Sequence, residues 1–452
     1  MLKFGTDGVR GVANAELTPE LALALGRAAA RVLGGDRCAV GRDTRRSGPM
    51  LEAALAAGLA SEGVDVVLLG VVPTPAVAWW SASEGAPAAM VSASHNPFAD
   101  NGIKLFAAGG RKLPDDVERR LEDELQRLLR LRPADDGGEA GDRPVPTGAA
   151  LGRIDAAVGA DAGYRAAVVA SLDGRRLDGL RAVVDCANGA ASAVAPRVLR
   201  DLGVEVEVVN DRPDGTNIND GCGSTHVERL GPLVAERGAD LGIAFDGDAD
   251  RVLLVDAAGQ VVDGDQIIAM CAIDRHERGV LAGDSVVVTV MTNLGFRQAM
   301  EKRGIRVVET RVGDRYVLEA LEAEGLALGG EQSGHVIFRD LATTGDGLLT
   351  AVQVLDVVVR TGVPLGELAA RSMTRLPQVL RNVRVARRDP AIVDRLAADI
   401  AAVEARLGDQ GRVLVRPSGT EPLVRVMVEA PTAAEADAAA AELVRAVEAL
   451  GA

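Results

Sequence analysis

The sequence is poor in aromatic residues and carries a surplus of acidic ones. Phe, Tyr and Trp together make up 2% of its 452 residues, and the formal net charge at pH 7 is −15. Proteins that hold single-stranded nucleic acid stack its bases on aromatic side chains, and nucleic-acid binders in general need a basic surface. We therefore expect no nucleic-acid partner. An anionic ligand would need a local group of Arg, Lys and backbone N–H donors, acting against the overall field.

Cysteines are few and scattered. The four of them, Cys38, Cys186, Cys222 and Cys271, show no C-x-x-C spacing, which argues against a zinc site and for a reducing compartment. No run approaches the roughly 18 apolar residues of a membrane span, and the N-terminal segment lacks an apolar stretch of the secretory kind. We expect a cytoplasmic protein with no membrane partner.

Two common phosphate-binding signatures are also missing. The sequence contains no G-x-x-x-x-G-K-[ST] loop and no G-x-G-x-x-G fingerprint. Their absence argues against a P-loop NTPase and against a dinucleotide-binding enzyme.

Length and periodicity predict several α/β domains. A chain of 452 residues, 48% of them hydrophobic, is expected to form two to four domains. A strand–helix–strand plan, with a glycine after each helix, occurs over residues 38–70, 182–210 and 286–309. The wide spacing favours three similar α/β domains over a short solenoid repeat, although a plan this common can also recur by coincidence.

Residues 375–452 follow a different plan. They predict a strand at 382–386, a helix after Asp389, two further strands and a final helix opened by a Thr432–Glu435 capping box. A stretch rich in Pro, Gly and Asp between residues 132 and 148 indicates a linker or loop. We predict domains at 1–150, 151–255, 256–374 and 375–452, the last a smaller α+β unit.

Residues 243–255 place three aspartates between two apolar runs. Asp246, Asp248 and Asp250 alternate along a predicted turn between two strands. Carboxylates this close repel one another and burial raises their pKa values, so a hard cation should hold them together, Mg²⁺ before Ca²⁺ or Mn²⁺. An EF-hand is excluded because Arg251 and Ala257 stand where its loop needs Gly and Glu. A solvent-exposed acidic hairpin is the alternative.

Residues 92–97 form a Ser-Ala-Ser-His-Asn-Pro turn after an apolar run. Such a turn should hold the Ser94 hydroxyl in the open, and a serine beside His95 can act as a nucleophile. No G-x-S-x-G elbow surrounds this serine, so a hydrolase triad is poorly supported. The alternative is a turn that only satisfies its own backbone. Lys104 follows closely enough in sequence to lie near the serine.

Three further loops carry groups suited to a sugar or an anion. Residues 329–335 present a carboxylate, an amide, a hydroxyl and an imidazole, the groups that bind sugar hydroxyls. Residues 416–422, with Arg425 on the next strand, combine guanidinium groups, glycine and hydroxyls in the manner of a phosphate-binding turn. The N-terminal loop adds Arg10 between glycines. An ordinary turn is the alternative in each case.

Four of these motifs, in this order, resemble the α-D-phosphohexomutases. They are residues 92–97, 246–251, 330–335 and 416–421, and the resemblance extends over nearly the whole chain. It implies an α/β fold of three similar mixed α/β domains plus a smaller C-terminal α+β domain around a central cleft. It also implies a reaction in which a phosphoserine passes its phosphoryl group to a sugar phosphate. The resulting 1,6-bisphosphate then returns its other phosphate to the serine.

The resemblance also assigns roles by position. Ser94 would carry the phosphate, and that phosphate would complete the shell of one Mg²⁺ per chain. Lys104 is the leading candidate for general acid/base, ahead of the two histidines. The implied catalytic residues are Ser94, Lys104, Arg10, His95 and His335; the metal ligands Ser94, Asp246, Asp248 and Asp250; the substrate contacts Arg251, Glu331, Ser333 and His335; and the phosphate contacts Arg416, Ser418, Gly419, Thr420 and Arg425.

The expected substrate is a small-molecule phosphosugar. Gln332 and the segments 312–317 and 217–226 resemble the glucosamine branch of the family. That branch interconverts glucosamine 6-phosphate and glucosamine 1-phosphate for UDP-N-acetylglucosamine and the bacterial cell wall, with glucosamine 1,6-bisphosphate as intermediate and activator. A phosphomannomutase or phosphoglucomutase is the alternative within the family. A non-catalytic sugar-phosphate binding protein is the alternative outside it, opposed by the intact Ser94 and aspartate set. We expect a monomer or homodimer.

Overall fold

The computed structural model describes residues 8–130, 146–387, 389, 391–417 and 422–451. These residues form two compact units, Met1–Val290 with Arg306–Ala369 and Met291–Ile305 with Ala370–Ala452. Most of the predicted linker at 132–148 lies outside the described residues.

The first sheet has parallel strands at its centre and antiparallel strands at one side. The strand order is β1-β5-β4-β2-β3-β7, and β6 pairs with β5. Thr18, which precedes a proline at the first helical position as helix N-caps often do, caps the first helix, its Oγ1 accepting from Leu21 N at 3.3 Å. The elements are β1 (Val9–Val12), α1 (Pro19–Leu33), β2 (Arg37–Arg42), α2 (Gly48–Ser61), β3 (Asp65–Val71), α3 (Thr74–Glu84), β4 (Ala88–Val91), β5 (Asp100–Ala107), β6 (Arg111–Lys112), α4 (Asp115–Arg130) and β7 (Ile154–Ala156).

The second sheet runs in the order β12-β11-β10-β8-β9. Strands β8 and β9 are parallel, as a strand–helix–strand unit requires, whereas β10 and β11 form an antiparallel hairpin. The elements are α5 (Ala162–Ala170), β8 (Arg181–Asp185), α6 (Ala195–Asp201), β9 (Glu205–Val209), α7 (Leu230–Arg237), β10 (Leu241–Phe245), β11 (Val252–Asp256) and β12 (Val261–Val262).

The third sheet runs in the order β14-β13-β15-β16 and repeats the parallel pair, here β13 with β14. Helix α9, which connects these two strands, belongs to the second compact unit. The elements are α8 (Gly264–Glu277), β13 (Ser285–Thr289), α9 (Leu294–Glu301), β14 (Arg306–Thr310), α10 (Asp314–Ala323), β15 (Leu328–Gly330), β16 (Val336–Phe338), α11 (Gly347–Thr361) and α12 (Leu365–Ser372).

The C-terminal sheet is antiparallel, in the order β17-β19-β18, and valines on one face pack with helices into a separate core. On the other face the fully buried Glu429 accepts hydrogen bonds from Leu294 N (2.9 Å) and Arg412 Nε (3.0 Å). The elements are β17 (Gln378–Arg384), α13 (Ile392–Arg395), α14 (Ala397–Leu407), β18 (Arg412–Pro417), β19 (Leu423–Glu429) and α15 (Ala433–Gly451).

The strand predicted at residues 382–386 is placed too late in the sequence. Strand β17 begins at Gln378, because it pairs with β19 along the whole of that strand and Val379 packs against the core. The capping box at Thr432 forms as predicted: its Oγ1 accepts from Glu435 N at 3.2 Å, and its own N donates to Glu435 Oε2. The predicted fold class, three α/β domains plus a smaller α+β unit, is confirmed. The domain boundaries stay a prediction.

Within the described residues, no helix alone has the length and apolar composition needed to cross a membrane. Helices α11 and α12 meet those criteria only when taken together, and they are bent by 97° at the break between them.

Candidate functional site

The three aspartates lie on the turn between β10 and β11. Phe245 and Val252 are register partners, so the turn is short and its side chains converge. Asp246, Asp248 and Asp250 are 0%, 0% and 6% exposed, and one carboxylate oxygen of each lies within 4.8 Å of the others. The exposed-hairpin alternative is therefore wrong, because this charge is buried.

The charge of the cluster is only partly offset by protein groups. Lys104 Nζ, on β5, lies 2.9 Å from Asp248 Oδ2 and 3.1 Å from Asp250 Oδ2. Thr74 Oγ1 donates to the same Asp248 oxygen at 2.6 Å. Among the described residues no group donates to Asp248 Oδ1, although that oxygen is buried. A buried carboxylate oxygen without a partner is costly, and a hard cation prefers oxygen ligands, so the donor set fits such an ion.

The pKa values of two members move in opposite directions. Burial and the neighbouring carboxylates raise the pKa of Asp246 well above its ordinary value. Burial acts in the same sense on Asp250, but Lys104 and His335 outweigh it and hold its pKa well below the ordinary value. A cation bound at the cluster would lower the pKa of Asp246 and favour its ionised form.

The structure brings Ser94 to the aspartates and corrects one prediction. The side chain is not in the open: the residue is 1% exposed, and Ser94 Oγ donates to Asp246 Oδ2 at 2.6 Å. Ser94 is buried because its turn packs directly on the turn that carries the three aspartates. A Cβ at Gly247 would lie 2.6 Å from the Ser94 carbonyl oxygen, so glycine permits the approach.

His95 and Arg10 lie beside the turn that carries Ser94. His95 Nδ1 is 3.3 Å from Ser94 Oγ. Burial, followed by the positive charges of Arg251 and Arg10, lowers the pKa of His95 to about 4. Arg10 is on β1, opposite Gly102 on β5.

The predicted sugar-binding loop is joined to the metal-binding turn. Gly334 O accepts from Val252 N at 3.1 Å, which fixes the loop at the start of β11. His335 is buried, with its Nδ1 3.8 Å from Asp250 Oδ1 and its Nε2 3.4 Å from Asp314 Oδ2. Burial would lower the pKa of His335, but these two carboxylates raise it above the ordinary value.

The three other residues predicted to contact the sugar, Glu331, Ser333 and Arg251, differ from His335 in their surroundings. Glu331 Oε1 accepts from Gly313 N at 3.0 Å, and Ser333 is exposed. The backbone N of Arg251 donates to Asp246 Oδ1 at 3.2 Å.

The predicted phosphate contacts lie in the second unit. Arg416 on β18 and Arg425 on β19 are register partners, on the face of the sheet away from the valine core. Burial and the charge of Arg425 lower the pKa of Arg416. In the described part of the chain, the buried Nε of Arg425 donates to no group. Ser418, Gly419 and Thr420 lie outside the described residues.

Sequence reasoning missed two contributors. Thr74 bonds Asp248 twice, through its hydroxyl and through its backbone N at 2.9 Å to the carbonyl. Thr74 precedes a proline at a helix start, a pattern that indicates only a helix boundary. Asp314 faces His335 from α10 and also pairs with Lys112. No local signal gives either residue a role: Asp314 falls in the segment 312–317 only as part of a family resemblance, and the contacts of Thr74 with Asp248 and of Asp314 with Lys112 join distant parts of the chain.

Comparison with known proteins identifies the family. Four models match the chain in succession: phosphoglucomutase/phosphomannomutase α/β/α domain I at residues 1–131, domain II at 162–259, domain III at 263–376 and the C-terminal domain at 380–446. The chain belongs to the phosphoglucomutase/phosphomannomutase family. It is therefore a mutase acting on phosphosugars.

Its relatives in this family include proteins similar over nearly their full length. A phosphoglucosamine mutase of Frankia alni is 57% identical and covers 99% of this chain and 98% of its own length. One of Moorella thermoacetica is 56% identical over 95% of each chain. The crystal structure of a family protein from Burkholderia thailandensis, 26% identical, has a TM-score of 0.80 and covers 99% of this chain and 98% of its own.

We expect Asp248→Asn to weaken divalent-cation binding at least about tenfold, because it removes one of the three converging charges while leaving the side chain's size unchanged. Titration calorimetry with Mg²⁺ and with Mn²⁺ measures the dissociation constant directly. Asp240→Asn, an exposed residue just before β10, is the matched control. Equal affinities of the two variants would contradict a cation site at this turn.

Proposed function

We propose that the chain interconverts glucosamine 6-phosphate and glucosamine 1-phosphate through phosphorylated Ser94 and glucosamine 1,6-bisphosphate. The observation that carries the proposal is the 2.6 Å contact between Ser94 Oγ and a carboxylate of the buried three-aspartate cluster. A serine held there lies beside the oxygen ligands of a hard cation, which is the arrangement that phosphoryl transfer needs.

The proposed reaction consists of two transfers. In the first, the Oγ–P bond of phosphoserine 94 breaks, a bond forms between phosphorus and a free sugar hydroxyl, and that hydroxyl's proton ends on Ser94 Oγ. In the second, the other phosphate of the bisphosphate returns to Ser94 Oγ, whose proton ends on the released sugar oxygen. The aspartates and the phosphoserine would hold one Mg²⁺, and this ion, when bound, offsets negative charge on the transferring group.

Three side chains are candidates for moving these protons. Lys104 is buried and positively charged between Asp248 and Asp250, so it can donate a proton and counter phosphate charge. His95 contacts Ser94 Oγ directly. His335 reaches Asp250 from the sugar-binding loop. Arg10 supports the serine turn electrostatically.

Substrate binding would be divided between two regions. Glu331, Ser333, His335 and Arg251 would contact the sugar. In the second unit, Arg416 and Arg425 would hold the phosphate that does not react, with Ser418, Gly419 and Thr420 beside them. Two guanidinium groups opposite each other repel, and a bound phosphate would relieve that repulsion through paired charged hydrogen bonds. The same phosphate site would serve both ends of the sugar.

The choice of glucosamine is supported by relatives 55–57% identical that are named phosphoglucosamine mutase. Its product would supply UDP-N-acetylglucosamine synthesis. A phosphomannomutase or phosphoglucomutase is the second candidate, since the family models bear those names.

Ser94→Ala should lower mutase turnover at least about a thousandfold, because the phosphoryl acceptor is lost. Intact-mass measurement after incubation with the bisphosphate should show one added phosphate on the native chain and none on the variant. Ser83→Ala, an exposed serine on α3, is the control. Undiminished turnover by Ser94→Ala would refute the phosphoserine mechanism.

Comparison of glucosamine, glucose and mannose 6-phosphates should give the highest kcat/KM for glucosamine 6-phosphate, by at least about tenfold. The expected reason is that a site built for an amino group leaves polar partners unpaired when a hydroxyl replaces it. A higher value for the glucose or mannose compound would favour the second candidate.

Arg416→Ala should raise the KM for glucosamine 6-phosphate by about 10- to 100-fold, since a charged hydrogen bond contributes roughly 1.5–3 kcal/mol. Steady-state kinetics on the full chain measures it. Arg381→Ala, whose exposed side chain pairs with Asp437 in the same unit, is the control. An unchanged KM would rule out the phosphate contact.

A further inference from the structure

Arg45 is a fully buried arginine that none of the assigned roles uses. It follows β2 and is 0% exposed. All five of its N–H donors are occupied, because Nε donates to Asp43 and the two terminal nitrogens donate to four main-chain carbonyls. The acceptors are Asp43 Oδ2 (2.9 Å), Ser94 O (2.9 Å), Asn96 O (2.8 Å), Asp100 O (3.0 Å) and Pro97 O.

Three of these carbonyls belong to the turn that carries Ser94, and the fourth, of Asp100, is at the start of β5, which follows the turn. Ser94 itself has a φ of +51°, in the left-handed region. A residue other than glycine seldom adopts that conformation unless its surroundings hold it there. The turn therefore needs an external template.

The backbone amide of Ser94 is fixed by the same pair of residues. Ser94 N donates to Ser92 Oγ at 2.9 Å, and Ser92 Oγ donates to Asp43 Oδ2 at 2.7 Å. Asp43 is the carboxylate that binds Arg45 Nε. The N–H of Ser94 is thus connected through Ser92 Oγ to Asp43, and its carbonyl accepts directly from Arg45. Both groups are held by the same buried ion pair.

A second residue, from the second sheet's domain, reinforces the template. Asn219 Nδ2 donates to Ser94 O at 2.9 Å and to Asn96 O at 3.1 Å. Each of these carbonyls therefore accepts from both Asn219 and Arg45, so the turn is held from two domains.

We propose that Arg45, paired with Asp43, is a positioning residue that imposes the left-handed backbone of Ser94 and thereby sets the rate of phosphoryl transfer to and from its hydroxyl. The inference rests on the proposed function. Because Asp43 neutralises it, Arg45 adds no net charge at the serine and acts through geometry. Lysine cannot replace it, since an ammonium offers three donors from one atom instead of a planar fork of five.

The test compares Arg45→Lys with Arg31→Lys. Arg31 is a matched control: it lies in the same sheet's domain, has a side chain 14% exposed, and pairs with Glu62 and Glu124, away from the turn. Loading is measured by intact mass after mixing with glucosamine 1,6-bisphosphate. In this step a sugar O–P bond breaks, the Ser94 Oγ–P bond forms, and the serine proton ends on the sugar oxygen.

Arg45→Lys should load phosphate and turn over about 100-fold more slowly, the cost of misplacing a reacting atom by about an ångström, with KM changed less than about threefold. Amide hydrogen exchange should quicken in a peptide spanning residues 92–101. Arg31→Lys should match the native chain in all three measurements. If Arg45→Lys does not fold, Ser92→Ala, which removes the hydrogen bond from Ser94 N and the one to Asp43 but leaves Arg45 in place, should reproduce slow loading.

Native loading and native exchange rates in folded Arg45→Lys, or in Ser92→Ala where Arg45→Lys does not fold, would overturn the inference while leaving the proposed function intact. A rise of KM in Arg45→Lys, with kcat unchanged, would also overturn the inference. A native chain that never gains phosphate at position 94 would instead refute the proposed function, and this inference with it.

Discussion

Three carboxylates buried within a few ångströms of one another are the constraint around which the first compact unit is arranged. Such charge is stable in a protein interior only when cations and hydrogen-bond donors surround it. Here the donors come from distant parts of the sequence: Lys104, Thr74 and Ser94 from the first sheet's domain, and His335 from the third. Two buried oxygens, Asp248 Oδ1 and Asp250 Oδ1, accept no hydrogen bond among the described residues, and a bound cation would be a partner for them.

The backbone of the turn that carries the three aspartates is held by hydrogen bonds, as its side chains are. Thr74 N donates to Asp248 O at 2.9 Å and Gly347 N donates to Ala249 O at 3.0 Å, which connects the turn to the first and third domains. The Ser94 turn and the loop at residues 329–335 both contact this turn or the strand that follows it. A site supported in this way on sheets and helix starts keeps its geometry better than one on free loops. The packing of these elements on one another also explains why Ser94, which the sequence predicts to lie in an exposed turn, is buried in the structure.

The C-terminal unit brings together two positive charges, whereas the first unit brings together three negative ones. Arg416 and Arg425 face each other across two antiparallel strands, where like charges are unfavourable without a counterion. The chain as a whole carries a net charge of −15, so affinity for an anion depends on this local pair and not on the general field. The acidic cluster of the first unit is suited to a cation, and the basic pair of the second unit is suited to an anion.

The sequence alone determined the fold class, the strand–turn–strand setting of Asp246, Asp248 and Asp250, and the helix caps at Thr18 and Thr432. Each of these follows from periodicity or from hydrogen bonds within a few residues, which are local physics. The start of β17, the burial of Ser94 and the contacts of Thr74 and Arg45 were decided only by the tertiary structure. They depend on strand pairing across 51 residues, as between Gln378 and Glu429, or on hydrogen bonds between domains, as between Thr74 and Asp248. Arg45 is the clearest case: its neighbours in sequence suggest a turn, and its five acceptors exist only once the chain has folded.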